Sequence, residues 1–429
     1  NISDDVLCFV TNQVYTTEVA KMNIIASIVW GLVRSLQLEL ADQNVIVYDS
    51  DISSVNRIER INQLIMSKIL QAKEYDGIVK IPKITKSIVE NESESPITIS
   101  EDKSYAVIGG FGALGLETCK RMVNEGARRL IVIGRSDLAH NKEKMDQLYS
   151  MSKDLSIEYH QLDISRSSEK SRLISILSKE KNVGGIVYAV GVVKDKIYSN
   201  YTDEDIQAVY ESKINGVVTL FEALEDIDFD FCACYSSIVS TMGAAGQSVY
   251  GAANSFIDSL CNYMRQKGKN IFSIQWGPWD EIGMFSKLDD ISVKRYELRN
   301  IFAMKAEEAM DAFILSLNRS KNQMILRQKR VKENTRIDIE NNIKPFSKTI
   351  RKEEYSILEQ LKKIVAESIG LNEVYKLKTD VSLMELGVDS LLMIEIRMKI
   401  NKLFEVNISL DKFFEQMTID KLNDIITNK

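Results

Sequence analysis

The sequence predicts an α/β fold: a Rossmann-like, doubly wound parallel sheet, preceded by a smaller unit of the same class and followed by an all-α helix bundle. Three observations predict it. Short β-branched runs alternate with helix-length segments between residues 103 and 326, a glycine-rich turn closes the first of those runs, and strand signals stop after residue 355. At 429 residues the chain also exceeds what one hydrophobic core ordinarily serves, so several domains are expected.

The elements follow in order. In residues 1–98, a strand near 6–11 leads to a helix that includes Ala26-Ser27-Ile28-Val29-Trp30-Gly31-Leu32, and a second strand follows at Val45–Tyr48. This block alternates but has no phosphate-binding glycine turn and no catalytic cluster, so a structural role is expected. In residues 103–326, strands are expected at 105–108, 130–133, 157–161, 185–189, 231–235 and 272–276. Helices are expected near 114–125, 168–180 and 250–265, with one long helix ending near Glu225. Residues 327–354, rich in Lys, Asn, Arg and Glu, read as a solvated linker. Residues 355–429 read as helices near 355–369, 390–403 and 418–427, a small bundle.

Composition removes several function classes. A net charge of −6 without a long basic block argues against nucleic acid or an anionic membrane as partner. No run of about eighteen apolar residues is present, so no membrane span is expected. The five cysteines (Cys8, Cys119, Cys232, Cys234, Cys261) are odd in number and sit mostly in apolar runs, as buried free thiols of a reducing cytoplasm would. Cys232 and Cys234 lack the second pair a zinc site needs, so no metal is expected. Two histidines, His140 and His160, leave little material for a Ser-His-Asp hydrolase. The chain begins at Asn1, almost directly in a strand-like run, and is read as a piece of something longer.

Gly109 and Gly110 close a strand, and Gly112 and Gly115 open a helix. In that context glycines permit a tight turn and let backbone approach a pyrophosphate seated on a helix N-terminus. The next strand ends in Gly134-Arg135-Ser136, which offers a guanidinium and a hydroxyl to a 2′-phosphate where an NAD site commonly places an acid, so NADPH is the expected cofactor. Asp163, at the end of the third strand, is positioned either to hydrogen-bond the adenine or to cap the following turn.

The middle block resembles the ketoreductase domain of modular polyketide synthases, a branch of the short-chain dehydrogenase/reductase superfamily. The resemblance rests on Gly109-Gly110-Phe111-Gly112-Ala113-Leu114-Gly115, Gly134-Arg135-Ser136, Tyr188-Ala189-Val190-Gly191-Val192, Lys213-Ile214-Asn215-Gly216, Tyr235-Ser236-Ser237, Tyr250-Gly251-Ala252-Ala253-Asn254 and Trp276-Gly277-Pro278-Trp279. It implies cofactor contacts at Leu114, Ala189, Gly191 and Pro278 beside those named above. It also implies a catalytic set of Tyr250, Ser237, Lys213 and Asn254. Hydride arriving at a carbonyl carbon leaves charge on the oxygen, so a proton donor and a preorganised hydrogen-bond donor must face it. Tyr250 would give the proton, Lys213 would favour the phenolate, and Ser237 would hold the developing oxyanion. Asn254, one helical turn after Tyr250, would orient Lys213 directly or through water. Ser236 is the rival for the serine role.

Product stereochemistry is also read from the resemblance. Val193-Lys194-Asp195 aligns with the Leu-Asp-Asp motif of members that give the D-configured hydroxyl and keeps its last acid, Asp195. Met242 stands where the opposite class carries a tryptophan. Residues 1–98 resemble the later part of the family's degenerate Rossmann-like structural subdomain, with Trp30-Gly31-Leu32-Val33-Arg34 the most recognisable piece and the opening strand and helix missing.

Gly387-Val388-Asp389-Ser390-Leu391 resembles the phosphopantetheine attachment motif of acyl and peptidyl carrier proteins. A serine at a helix N-terminus has an exposed hydroxyl, and the helix dipole favours the phosphodiester that Ser390 would bear. The expected function is NADPH-dependent reduction of a β-ketoacyl thioester, tethered through 4′-phosphopantetheine, to a β-hydroxyacyl thioester. The implied partners are a phosphopantetheinyl transferase and neighbouring ketosynthase and acyltransferase domains. The alternatives are a short-chain dehydrogenase acting on a free substrate, or a non-reducing scaffold whose carrier alone works.

Overall fold

The structure is a computed structural model that describes residues 6–40, 43–51, 57–85, 96–280, 282–283, 293, 296–297, 299–318, 321–328, 356–368, 377–386, 388, 390–408, 412–413 and 417–427. The expected linker lies outside the described residues except for Arg327 and Gln328. The chain forms two compact units, residues 1–287 with 303–327, and residues 288–302 with 328–429.

The first unit opens with β1 (Val6–Asn12), α1 (Ser27–Glu39), β2 (Asn44–Ser50), α2 (Arg57–Met66), β3 (Gln71–Tyr75) and β4 (Ile78–Lys80). They make a four-stranded sheet in the order β1-β2-β3-β4, parallel except for the β3–β4 hairpin. The hairpin turns at Asp76 and Gly77, both with positive φ, and was not expected from sequence. The buried Asp49 carboxylate organises this layer: it accepts from Thr11 Oγ1 at 2.7 Å and from the backbone N–H groups of Val14 and Tyr15. Thr11 Oγ1 in turn accepts from Trp30 Nε1 at 2.9 Å.

The second layer follows with β5 (Ser104–Ile108), α3 (Ala113–Asn124), β6 (Arg129–Gly134), α4 (Lys142–Tyr149), β7 (Ser156–Gln161), α5 (Lys170–Leu177) and β8 (Val183–Tyr188). It continues with α6 (Asp203–Tyr210), α7 (Gly216–Ala223), β9 (Phe229–Ser237), α8 (Val239–Met242), α9 (Ser248–Gln266), β10 (Ile271–Trp276), α10 (Ala306–Leu317) and β11 (Gln323–Ile325). Seven parallel strands run in the order β11-β10-β9-β8-β5-β6-β7. Alternate residues of β5 feed opposite cores: Tyr105 and Val107 pack with α3, α4 and α10, while Ala106 and Ile108 pack with α5, α7 and α9. Both faces are therefore dry, which is why these strands read as continuous apolar runs. The direction of strand addition reverses between β5 and β8, which opens a crevice at their C-terminal ends.

One expectation needs correction. The long helix ending near Glu225 is broken: α6 ends at Tyr210, one π-helical turn covers Glu211–Asn215, and α7 then runs to Ala223. Sequence periodicity cannot register one extra residue in a turn when apolar residues continue through it. The strand expected over 157–161 forms as β7 and ends at Gln161, which leaves Asp163 two residues beyond it.

The two layers of this unit meet along α1 and α9. A Cβ on Gly31 would stand 2.2 Å from the Gly251 carbonyl oxygen and 2.7 Å from Ser255 Cβ, so the two helix backbones touch there. Arg34 reaches across to the Ser240 carbonyl, and Ala244 N–H donates to Ser35 Oγ at 3.2 Å. The structural block is thus seated directly on the helix that carries Tyr250.

In the second unit, α11 (Ile357–Ser368), α12 (Ser390–Phe404) and α13 (Ile419–Thr427) enclose a core of Leu361, Val365, Met393, Ile396, Ile400, Phe413, Leu422 and Ile426. The three- and four-residue spacing of these side chains puts one stripe per helix inward. Val388, two residues before α12, is buried with them. Among the described residues no helix is long and apolar enough to cross a membrane.

Candidate active site

The glycine turn after β5 is shaped by contacts that leave no room for side chains. Gly109 has φ +81°, and a Cβ there would stand 2.8 Å from the Ala189 carbonyl oxygen at the end of β8. A Cβ on Gly115 would fall 2.1 Å from the Gly109 oxygen, so this residue sets how closely α3 approaches the turn. Gly112 caps α3 with extended φ/ψ and no side-chain bond. The unpaired N–H groups of the first turn are therefore left for an anion. A cavity of about 250 Å³ lies against this turn at the strand-order reversal, lined by Gly109, Gly112, Arg135, Ser136, Asp163, Ala189 and Gly191. A cradle that side chains would fill and a helix N-terminus together fit a dinucleotide. Gly110 is packed behind the turn against Val107 and Val132, and Leu114 contacts Gly283; these two and Pro278 do not line the cavity. Pro278 is buried and its carbonyl accepts from Met304 N–H at 2.9 Å.

Arg135 and Ser136 are exposed at the cavity rim. Their backbone is held from β7, where Gln161 Nε2 donates to the Arg135 carbonyl at 3.1 Å and Tyr159 OH donates to the Ser136 carbonyl. Asp163 lines the cavity and also performs the capping role: its Oδ1 accepts from Ser165 N–H at 3.3 Å and Ser165 Oγ at 2.7 Å. Sequence reading missed α4 and with it Lys144, which lines the same cavity and donates to the Phe111 carbonyl at 2.6 Å. Met145 and Leu148, three apart between β6 and β7, were the signal for that helix.

Lys213 lies in the π-helical turn, 3 % exposed, with Nζ donating to the Tyr235 carbonyl at 2.8 Å. Its Nζ also stands 5.6 Å from the centre of the Tyr250 ring, in the first turn of α9. Burial pushes the ammonium down to about 8, and the charge on Asp258 opposes that shift. Gly191 permits the approach: a Cβ there would stand 2.5 Å from Lys213 Cε. Tyr250 packs with Val209, Val239, Val249 and Ala253 and is 6 % exposed.

The two serines at the end of β9 part ways. Ser236 Oγ turns toward α9 and meets the Asn254 carbonyl at 3.4 Å, whereas Ser237 Oγ accepts from Val239 N–H at 3.3 Å. Ser237 thus keeps its hydroxyl proton for another acceptor, among the described residues. Asn254 does not bond Lys213 directly. Its Nδ2 donates to the Tyr250 carbonyl at 2.9 Å, and its Oδ1 is buried without a partner, the setting in which a bridging water is expected. Asp258, two turns beyond Tyr250, accepts from Ser240 Oγ at 2.6 Å, Ser273 Oγ at 2.6 Å and Gln275 Nε2 at 2.7 Å, tying α8, α9 and β10 together beneath the site. Sequence reading missed this node. Asp195 accepts from Gln247 Nε2 at 3.0 Å, which links its loop to the residue before α9.

In the second unit Ser390 is the first residue of α12, while Gly387 and Asp389 lie outside the described residues. The free cysteines Cys119, Cys232, Cys234 and Cys261 are buried and Cys8 is half-buried. No cluster of three metal-ligating side chains occurs among the described residues.

The KR domain family matches residues 103–281, and the phosphopantetheine attachment site family matches residues 359–426. Mellein synthase of Phaeosphaeria nodorum is 25% identical over 382 residues, covering 78% of this chain and 21% of that protein. Polyketide synthase PksN of Bacillus subtilis is 28% identical over 343 residues, covering 73% of this chain and 6% of that protein. The chain therefore spans about a fifth or less of the length of these relatives. Among solved structures, a ketoreductase domain from the bacillaene assembly line aligns with TM-score 0.67 at 22% identity over 76% of this chain and 78% of that one. The ketoreductase from the first module of phoslactomycin biosynthesis in Streptomyces sp. HK803 aligns with TM-score 0.66 at 24% identity over 76% and 75%. At these identities the two structures speak for the fold.

The Gly191–Lys213 contact is directly testable. Gly191→Ala should displace the Lys213 amine from the Tyr235 carbonyl in a crystal structure and cost about 1–3 kcal/mol in denaturant unfolding of the first unit. An unmoved amine with unchanged stability would contradict the contact.

Proposed function

We propose that this chain, a polyketide-synthase ketoreductase followed by a carrier domain, reduces a β-ketoacyl thioester to the β-hydroxyacyl thioester with NADPH. The observation that carries the reading is the buried Lys213 ammonium beneath the Tyr250 ring, beside a glycine-walled cavity. We assign residues 1–98 to a bracing subdomain, 103–326 to the catalytic domain, 327–354 to a linker and 355–429 to the carrier.

The pyrophosphate is assigned to the turn Gly109, Gly110, Gly112, Leu114 and Gly115, with the first N–H groups of α3 as donors. Arg135 and Ser136, exposed at the rim, take the 2′-phosphate, and this pair is the reason for preferring NADPH. Asp163 is assigned to the adenine side and Ala189 and Gly191 to the nicotinamide side, with Pro278, which stands outside the cavity lining, assigned there on the resemblance alone. A bound reduced nicotinamide supplies the hydride. As charge builds on the carbonyl oxygen, the Tyr250 hydroxyl gives it a proton and the Ser237 hydroxyl donates a hydrogen bond to it. The Lys213 ammonium stabilises the phenolate that Tyr250 becomes, because a nearby cation favours the charged form of an acid. Asn254 holds the backbone of the tyrosine turn and offers its buried Oδ1 to a water that reaches Lys213. Asp195, fixed to Gln247, borders the substrate side and favours a D-configured product.

The acyl chain is carried as a thioester of 4′-phosphopantetheine on Ser390. Tethering makes delivery intramolecular, at an effective concentration that can reach the millimolar range for short flexible linkers. The position of Ser390 at the start of α12 supports this assignment, since the helix dipole favours an anion there. A phosphopantetheinyl transferase, a ketosynthase and an acyltransferase are the partners this chemistry requires.

Two experiments test the reading. Tyr250→Phe should lower NADPH-dependent reduction of a β-ketothioester surrogate by about 10²-fold or more, in line with loss of a positioned proton donor, while NADPH binding by fluorescence stays near wild type. Turnover like wild type removes Tyr250 from the mechanism. Incubation with a transferase and coenzyme A should add one phosphopantetheinyl mass to the intact chain and none to Ser390→Ala. An undiminished gain in that variant defeats the carrier assignment.

A further inference from the structure

Glu39 ends α1 in the bracing block, outside the catalytic sheet, and is fully buried. No ion pair neutralises it among the described residues, and a buried carboxylate without a cation needs hydrogen bonds to persist. It has two, both from backbone of the catalytic layer. Gly246 N–H donates to Oε1 at 2.9 Å and Tyr198 N–H donates to Oε2 at 2.7 Å. Burial raises its carboxyl above the usual range, and these two donors pull it back.

The two segments it joins flank Tyr250. Gly246, with φ +80°, precedes Gln247 and the first turn of α9. Tyr198 follows the loop that carries Asp195. The segments are also bonded to each other: Lys196 N–H donates to the Gly246 carbonyl at 2.8 Å, Tyr201 OH donates to the same carbonyl at 3.1 Å, and Gln247 meets Asp195. One carboxylate from the block without a cofactor site therefore sets the spacing of two loops beside the tyrosine.

We propose that Glu39 is a positioning residue for the reduction: it fixes the loops that orient the β-ketothioester against Tyr250 and leaves the dinucleotide cradle untouched. The proposal rests on the ketoreductase reading above. A group held a fraction of an ångström out of place loses rate without losing the fold. A glutamine at this position keeps one acceptor but turns an N–H₂ toward the second donor, so one of the two bonds is lost.

The test is Glu39→Gln in the full chain, with hydrogen exchange and steady-state kinetics measured together. Faster exchange of the amides at 196–201 and 243–247 is expected. A rise of about tenfold in KM for the thioester surrogate, or an altered ratio of hydroxyl configurations, is expected as well, with the NADPH Kd within about twofold of wild type. Tyr198→Pro removes one donor while keeping the carboxylate, at the first position of a short 3₁₀ turn that tolerates proline, and should give the same pattern if Glu39→Gln fails to fold. Unchanged amide protection overturns the proposal, as does a parallel loss of NADPH binding, which marks general damage. A wild-type chain without turnover overturns the reductase reading instead, and the exchange data still decide whether Glu39 holds the loops.

Discussion

The burial of one ammonium group organises this structure. Lys213 is withdrawn from water to a place where its nearest hydrogen-bond acceptor is the Tyr235 carbonyl, and its pKa falls from 10.5 to about 8 as a result. Because the folded pKa is the lower one, the charged amine costs stability below about pH 8, and that cost disappears as pH rises toward 10.5. Its size below pH 8 is on the order of 3 kcal/mol. Several features exist to tolerate it. The π-helical turn aims the side chain inward, Gly191 clears its path, and Asp258 supplies an opposing charge at longer range. Strain of this kind is expected where a cation must sit beside a phenol in a dry site, and not where packing alone matters.

A costly arrangement needs a rigid surround, and the bracing block provides one. The contact of Gly31 with Gly251 lets α1 lie against α9 closer than any side chain would permit. Arg34 and Ser35 hold the turn before α9, and Glu39 holds the loop opposite. Among the described residues the block shows no cofactor cradle of its own, and its contacts hold the helix and the two loops that flank Tyr250.

Much of this was legible in the sequence because the governing constraints are local. Gly109, Gly112 and Gly115 announce a turn that backbone contacts dictate, and β-branched runs such as Ile131-Val132-Ile133 announce strands buried on both faces. The resemblance favours Ser237 over Ser236, and in the strand Ser236 Oγ turns toward α9 while Ser237 Oγ accepts from Val239 N–H. Other features arise from tertiary context. The π-helical turn differs from an α-helix by one residue, and of the two ways expected for Asn254 to meet Lys213, directly or through water, the direct bond is absent while Nδ2 bonds the Tyr250 carbonyl. Lys144, Asp258 and Glu39 are ordinary charged residues until the fold brings distant polar groups to them: backbone at Lys144 and Glu39, side chains at Asp258.

Lys213 is buried as an amine whose charge is marginally held beside Tyr250. The most direct measurement of this is an NMR titration of the Lys213 side chain, isotope-labelled and assigned by comparison with Lys213→Met. A midpoint near pH 8, well below the usual lysine value of about 10.4, is the expected result. A midpoint at 10 or above would place the amine in water and contradict the account.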